Sequence, residues 1–281
     1  MLRSVSIQLM WSDRPYADRV RAAAKAGFDL VDLWDSRNSD IDSVGAACRD
    51  EGIGVNGFFG NRDYSLCDRT LRSKVRDEVA RSLETALTVG ARQLHIFSNA
   101  IRPGGIVVPS PPEPPQALLE HCVDALGDLA ELVHGSGVTL VLEHLNTVFL
   151  PGYFWGDASW ATVSAREVNS PQVGVVIDCF HQQLCGGRLA DNLIAALPWL
   201  VRFDVAEVPG RFEPGAGEID FVFLRDLLDR HGWDGTISFE TVPSDGHVET
   251  ALRAIDETFP VEWCRRPRSA TEEREGARWD S

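Results

Sequence analysis

Eight short apolar runs recur along the chain at intervals of about 25 to 40 residues, each rich in Val, Ile, Leu and Phe and each bounded by glycine or charge. They predict strands at 4–9 (SVSIQL), 29–34 (DLVDLW), 53–58 (IGVNGF), 93–97 (QLHIF), 138–143 (VTLVLE), 173–178 (VGVVID), 200–204 (LVRFD) and 236–240 (TISFE). Between them the spacing of apolar residues changes to three and four, with charges on the opposite face. This predicts helices over 16–26, 70–89, 116–134 and 219–231. Gly27, Gly52, Gly90, Gly137 and Gly235 stand shortly before strands, where a helix is expected to end in a left-handed residue. Alternating strands and helices imply a parallel sheet, and eight repeats favour an α/β fold of the closed (β/α)8 type over an open sheet.

Two stretches break the rhythm, both following strands. Residues 98–115 include RPGGIVVPSPPEPP, too rich in proline and glycine for a helix, and 144–156 (HLNTVFLPGYFWG) offers Phe149, Tyr153, Phe154 and Trp155 as pocket walls or as a self-packed loop. The domain expected is a single barrel over 1–264, followed by a flexible tail over 265–281 that lacks hydrophobic periodicity.

The balance of 27 basic against 42 acidic residues gives a net charge of -15. That charge repels nucleic-acid phosphates and anionic lipid surfaces, so neither is an expected partner. Six cysteines show no CxxC spacing, no apolar run is long enough to span a bilayer, and no leader precedes an apolar core. A cytoplasmic protein acting on a small molecule is the expectation.

The candidate chemistry lies in Glu143, Asp178, Asp204 and Glu240, each at or just after the end of one of the last four predicted strands. One such acid commonly caps the next helix or pairs with an arginine. Four on consecutive units converge at one mouth of a closed barrel, and their mutual repulsion calls for a cation. Oxygen ligands favour Mn²⁺ or Mg²⁺ over zinc. His181, three residues after Asp178, and Arg211, seven after Asp204, are placed to bind substrate oxygens or a carboxylate. His95 and His144 also fall at strand ends, as further contacts to the site or as packing.

The segment PGRFEPGAGEIDF at 209–221, with ADRVRAAAKAGFDLVDL at 17–33, LEHLNTVFLPGYF at 142–154 and IDCFHQQLCGG at 177–187, resembles the hydroxypyruvate isomerase-like branch of the xylose isomerase-like TIM barrels, a group of sugar isomerases and epimerases. The resemblance runs from the first strand to about residue 260. It implies metal ligation by Glu143, Asp178 and Glu240, with Asp204 at the fourth ligand position. It also implies acid/base roles for Glu143 and Glu240 and substrate contacts for His181 and Arg211, with Trp155 and Glu213 as pocket or outer-layer candidates. The implied reaction is a metal-dependent aldose–ketose type isomerisation of a small hydroxy-oxo acid or ketose through a cis-enediolate, as between hydroxypyruvate and tartronate semialdehyde. Ketose 3-epimerisation, dehydration of a polyol ketone and non-catalytic sugar binding are the alternatives on the same scaffold. A homo-oligomer and a place in carbohydrate metabolism are expectations by analogy.

The chain departs from the branch at three positions. Asp204 stands where glutamine or histidine is usual, Arg202 where histidine is common, and His144 where proline is common. A carboxylate at 204 is expected to make the site more anionic and to tighten its hold on a divalent ion.

Overall fold

A computed structural model describes residues 1–266. The eight predicted strands are all present: β1 (Leu2–Ser6), β2 (Leu30–Asp32), β3 (Gly54–Phe59), β4 (Gln93–Ile96), β7 (Thr139–Glu143), β8 (Val173–Asp178), β9 (Leu200–Val205) and β10 (Thr236–Phe239). They close into one parallel barrel, with β1 pairing both β2 and β10 and β4 pairing β7 directly. The missing pair, β5 (Ile101–Arg102) and β6 (Ile106–Val107), is a separate antiparallel hairpin inside the proline-rich stretch 98–115.

The four predicted helices correspond to α1 (Tyr16–Lys25), α3 (Arg72–Val89), α4 (Pro115–Val133) and α8 (Phe221–Arg230). The outer ring also contains α2 (Ile41–Glu51), α5 (Ala158–Val168), α7 (Leu189–Ala196) and α9 (Val248–Thr258), with the short α6 (Cys179–Leu184) and α10 (Val261–Arg265). The pattern hides α2 and α5, whose residues include Ser43, Gly45, Thr162 and Ser164, weak helix formers. Caps compensate: Asp40 accepts from Ser43 N, and Asp157 accepts from Ser159 N at 2.8 Å. Of the five glycines read as left-handed turn points, Gly235 is not one. Gly232 takes that conformation instead, and a Cβ at Gly235 would meet the Trp233 ring at 2.3 Å. α10 includes Arg265, the first residue of the expected tail, and 267–281 lie outside the described residues.

Helices pack on the barrel through an apolar layer that includes Val20, Val44, Val79, Leu126, Leu228 and Ile255, all fully buried. The barrel interior is different. Ser4, Asn56, Arg202 and Ser238 point into it and are essentially inaccessible, so a polar network fills a space that branched aliphatics commonly occupy. The β8–β9 register sets Asp178 beside Asp204, and β9–β10 sets Asp204 beside Ser238.

Candidate active site at the barrel mouth

Each strand-end acid has a distinct set of partners. Asp178 ends β8 and caps α6, accepting from His181 N at 3.0 Å through Oδ1, while Oδ2 receives Arg211 Nη2 at 2.9 Å. It is thus both the helix cap and a member of the mouth. Arg211 Nη2 also lies 2.9 Å from Glu240 Oε1, which accepts from Trp34 Nε1 at 2.7 Å. Glu143 Oε2 meets His95 Nδ1 at 2.7 Å, and the Tyr153 hydroxyl donates to the Glu143 carbonyl at 2.8 Å, fixing the end of β7.

Asp204 is held by Arg202 in a two-point pair, Nε to Oδ1 at 2.5 Å and Nη2 to Oδ2 at 2.9 Å. Residues 202 and 204 share one face of β9 because side chains alternate along a strand. Arg202 Nη1 also donates to Asp32, which accepts from Asn56 Nδ2 at 2.9 Å and Ser238 Oγ at 2.6 Å and is bonded by Ser4 Oγ. The departures at 202 and 204 therefore form one ion pair, and the charge added by Asp204 is offset from within.

Electrostatics separate the two glutamates. Burial pushes the Glu143 carboxyl up, but His95 and His181 more than offset it, leaving it below the ordinary value. Burial, reinforced by Asp178 and Glu143, leaves Glu240 above its ordinary value although Arg211 pulls the other way. Burial and the same crowding raise Asp204 well above its usual range against the pull of Arg202. Asp178 is lowered to about 2, because Arg211 and His181 outweigh its burial. Burial lowers His181 to about 4.

His181 Nδ1 accepts from Asn146 N at 3.0 Å, and Arg211 lies over the Phe180 ring at 4.9 Å. The loop carrying Arg211 is tightly specified. Glu207 accepts from Gly215 N and Ile219 N, both at 3.0 Å, and Glu213 accepts from Ser244 N at 2.9 Å and Ser244 Oγ at 2.6 Å. A Cβ on Gly217 would lie 2.5 Å from Glu207 Oε2 and from Val208 O, so only glycine fits without displacing backbone.

Glu143, Glu240, His181, Arg211 and His95 all face one cavity of about 600 Å³. Its walls include Trp34, Phe97, Phe149 and Phe180. Trp155, His144 and Glu213 do not line it. Trp155 is wholly buried, His144 is enclosed with neither ring nitrogen hydrogen-bonded among the described residues, and Glu213 braces its loop. Of the aromatic loop, Phe149 faces the cavity whereas Tyr153 braces β7 from behind. Asp32, Trp34 and Asn146 join the site without having been expected there. Asp32 obeys the strand-end rule in DLVDLW, but the contact of Trp34 with Glu240 spans 206 positions and leaves no local signal.

The donor set suits a hard divalent cation. Asp178, Asp204 and Glu240 bring ligand atoms within 4.8 Å of one another, as do Glu143, Asp178 and His181. Asp32, Glu143, Asp178, Asp204 and Glu240 are all buried; among the described residues Arg202 pairs with Asp32 and Asp204, Arg211 with Asp178 and Glu240, and Glu143 faces His95 in place of an arginine. No described helix is long and apolar enough to cross a membrane.

An eight-stranded parallel barrel with acids at its strand ends defines a class, and residues 20–258 match one of its families: the chain belongs to the Xylose isomerase-like TIM barrel family. Among curated proteins it is similar to the 2-oxo-tetronate isomerase of Cupriavidus necator, 26% identical over 255 residues, covering 86% of this chain and 93% of that protein. It is also similar to the putative hydroxypyruvate isomerase of Homo sapiens, 27% identical over 240 residues, covering 82% and 85% respectively. Among solved structures, the family 2 AP endonuclease of Brucella melitensis superposes with a TM-score of 0.80 at 26% identity, covering 92% of this chain and 99% of that one.

Proposed function

We propose that the protein is a metal-dependent isomerase of small hydroxy-oxo acids, of the kind that the names hydroxypyruvate isomerase and 2-oxo-tetronate isomerase describe in its relatives. The observation that carries this reading is the pair Glu143 and Glu240, which face one cavity from opposite ends of the β7–β10 arc. Two carboxyls on one cavity fit an acid/base division of labour. One of the pair takes a proton from the carbon beside the carbonyl. The other returns one to the neighbouring carbon.

Glu143, Asp178 and Glu240, with Asp204 beside them, would hold Mn²⁺ or Mg²⁺, which would supply the positive charge that acidifies a C–H bond beside a carbonyl. Arg211 orients a substrate carboxylate, and His181 binds a hydroxyl or carbonyl oxygen.

One observation favours a second reading. A cavity of about 600 Å³ lies in the size range of pockets that enclose drug-sized ligands, which leaves room for a six-carbon ketose and hence for 3-epimerisation. A panel of three- to six-carbon ketoses and hydroxy-oxo acids, incubated in D₂O with Mn²⁺ or Mg²⁺ and read by NMR, tests both. Metal-dependent conversion of an acid to its aldehyde isomer, with deuterium entering at the reacting carbons, is expected. Epimerisation of neutral ketoses alone would replace the first reading by the second, and no exchange with any compound would sink both.

A further inference from the structure

The cavity reaches well past the acids. In the order of the barrel, β2, β3 and β4 lie across the mouth from β8, β9 and β10. The segments that follow them form the far wall, with Asp35, Asn38, Arg62, Arg102, Gly104 and Gly105. The two walls differ in sign. Asp178, Asp204 and Glu240 stand on one. Behind the other, Arg37 pairs with Asp35 and Asp63, and Arg62 with Asp35, so two acids meet two arginines. Arg102 is the surplus: its guanidinium makes no hydrogen bond or ion pair among the described residues, and the stretch 99–112 around it carries no other charged side chain.

Arg62 and Arg102 are held next to each other. Ile101 N donates to Arg62 O at 2.8 Å, and Arg62 Nε donates back to Ile101 O at 3.1 Å. Arg62 Nη1 donates to Asp35 Oδ2 at 2.8 Å, which leaves Nη2 without a partner among the described residues. Beyond Arg102 the hairpin turns through Gly104 and Gly105, both left-handed (φ 84° and 75°), with Gly105 N bonded to Arg102 O at 3.2 Å. An exposed arginine is ordinarily solvated and without consequence. This one is singled out by its place on the cavity wall, clasped beside a second guanidinium, in a chain of net charge -15.

We propose that Arg62 and Arg102 are a specificity-determining pair, and that the substrate carries a second anionic group, a phosphate ester or a second carboxylate, at the end remote from its reacting carbons. Both groups match the planar fork of a guanidinium, whereas the hydroxyl tail of a neutral ketose does not. Arg211 holds the acid head, and the far wall holds the tail. This deepens the isomerase reading and rests on it for the head; the tail contact stands on the far wall alone. It also accounts for a cavity of about 600 Å³, more room than a three-carbon acid fills.

The test is titration calorimetry on the full-length protein in excess Mg²⁺ with two matched sets of sugar acids: erythronate, tartrate and 4-phosphoerythronate, and gluconate, glucarate and 6-phosphogluconate. Within at least one set, the dicarboxylate or the phosphate ester should bind about tenfold or more tightly than the acid with a hydroxyl tail, the size of one charge-assisted contact. The tighter of the two tells carboxylate from phosphate. Arg102→Gln and Arg62→Gln should each bring that ratio close to one. Arg92→Gln, an exposed arginine just before β4 at the opposite end of the barrel, should leave it in place. Equal affinities within both sets, no binding of any of the six, a ratio that survives Arg102→Gln, or an equal fall in Arg92→Gln would each overturn the proposal. Should Arg62→Gln not fold, Arg102→Gln decides, since its side chain contacts nothing that the fold needs. A tail preference in a protein that isomerises no compound sinks the isomerase reading and leaves the pair intact; isomerisation without a tail preference does the reverse.

Discussion

Arg202 and Arg211 both pair with acids inside the barrel, and they are held very differently. Arg202 sits at the floor, 1% exposed, with its partners supplied by strands. Arg211 sits at the mouth on a loop, in a left-handed backbone conformation (φ 58°), with its side chain 16% exposed. Its partners Asp178 and Glu240 are themselves candidates for a cation and for chemistry. The floor arginine belongs to the framework; the mouth arginine can exchange one anionic partner for another. A buried ion network is costly to desolvate and of uncertain net benefit, yet removal of one partner leaves a charge stranded. The same residue type therefore carries a stability penalty at one level of the barrel and a binding role at the other.

The largest effect should come from the mouth. Glu143→Gln and Glu240→Gln are each expected to reduce turnover by about 10² to 10⁴-fold, the usual contribution of a positioned acid or base, while leaving the denaturation curve near that of the wild type. Near-normal activity in either would sink the two-carboxylate scheme. Arginine removal probes the comparison directly. Arg202→Met should cost about 3 to 5 kcal/mol in urea-induced unfolding, because it strands Asp32 and Asp204. Arg211→Met strands Asp178 and Glu240 in turn, but at a mouth that water can reach, so it should cost less, about 1 to 3 kcal/mol, and should in addition raise KM for carboxylate-bearing substrates. Equal losses of stability would erase the distinction between floor and mouth.

A smaller effect is expected from His181, whose value falls from 6.5 to about 4 on folding. The unfolded chain then binds a proton that the native state refuses between those limits. Stability of the metal-free protein should be fully present above about pH 6.5 and decline toward pH 4, by about 3 kcal/mol at most. His181→Asn should flatten that part of the profile. An unchanged slope in the variant would assign the acid sensitivity to other groups.

How much of this is legible in the chain varies by level. The strands are legible because each is a compact apolar run with clear ends, and α3 and α4 because they are long enough for their periodicity to show. α9 carries the same signal, with Val248, Ala251, Leu252 and Ile255 spaced three and four apart and packed on the core, so it is legible although it is not among the four predicted helices. Acids at strand ends announce Glu143, Asp178, Asp204 and Glu240, and the same rule extended to β2 points to Asp32. The pairing of Arg202 with Asp204 is implicit in their spacing of two along a strand, but its consequence is not. The expectation that Asp204 simply adds negative charge changes once the neighbouring arginine is seen to face the same way. Trp34 and Asn146 reach the site only through tertiary closure, which no local pattern encodes.

The two irregular stretches after β4 and β7 are stitched together. Ser98 N donates to the Tyr153 hydroxyl at 3.1 Å, Trp155 N donates to Ser98 Oγ at 3.2 Å, and Phe154 N donates to Asn99 Oδ1 at 2.8 Å. Mechanically they form a single panel, fastened at one edge to Glu143 through Tyr153. Any closing movement of the cavity wall must carry the hairpin and the aromatic loop together, so a shift in one is transmitted to the end of the strand that bears Glu143.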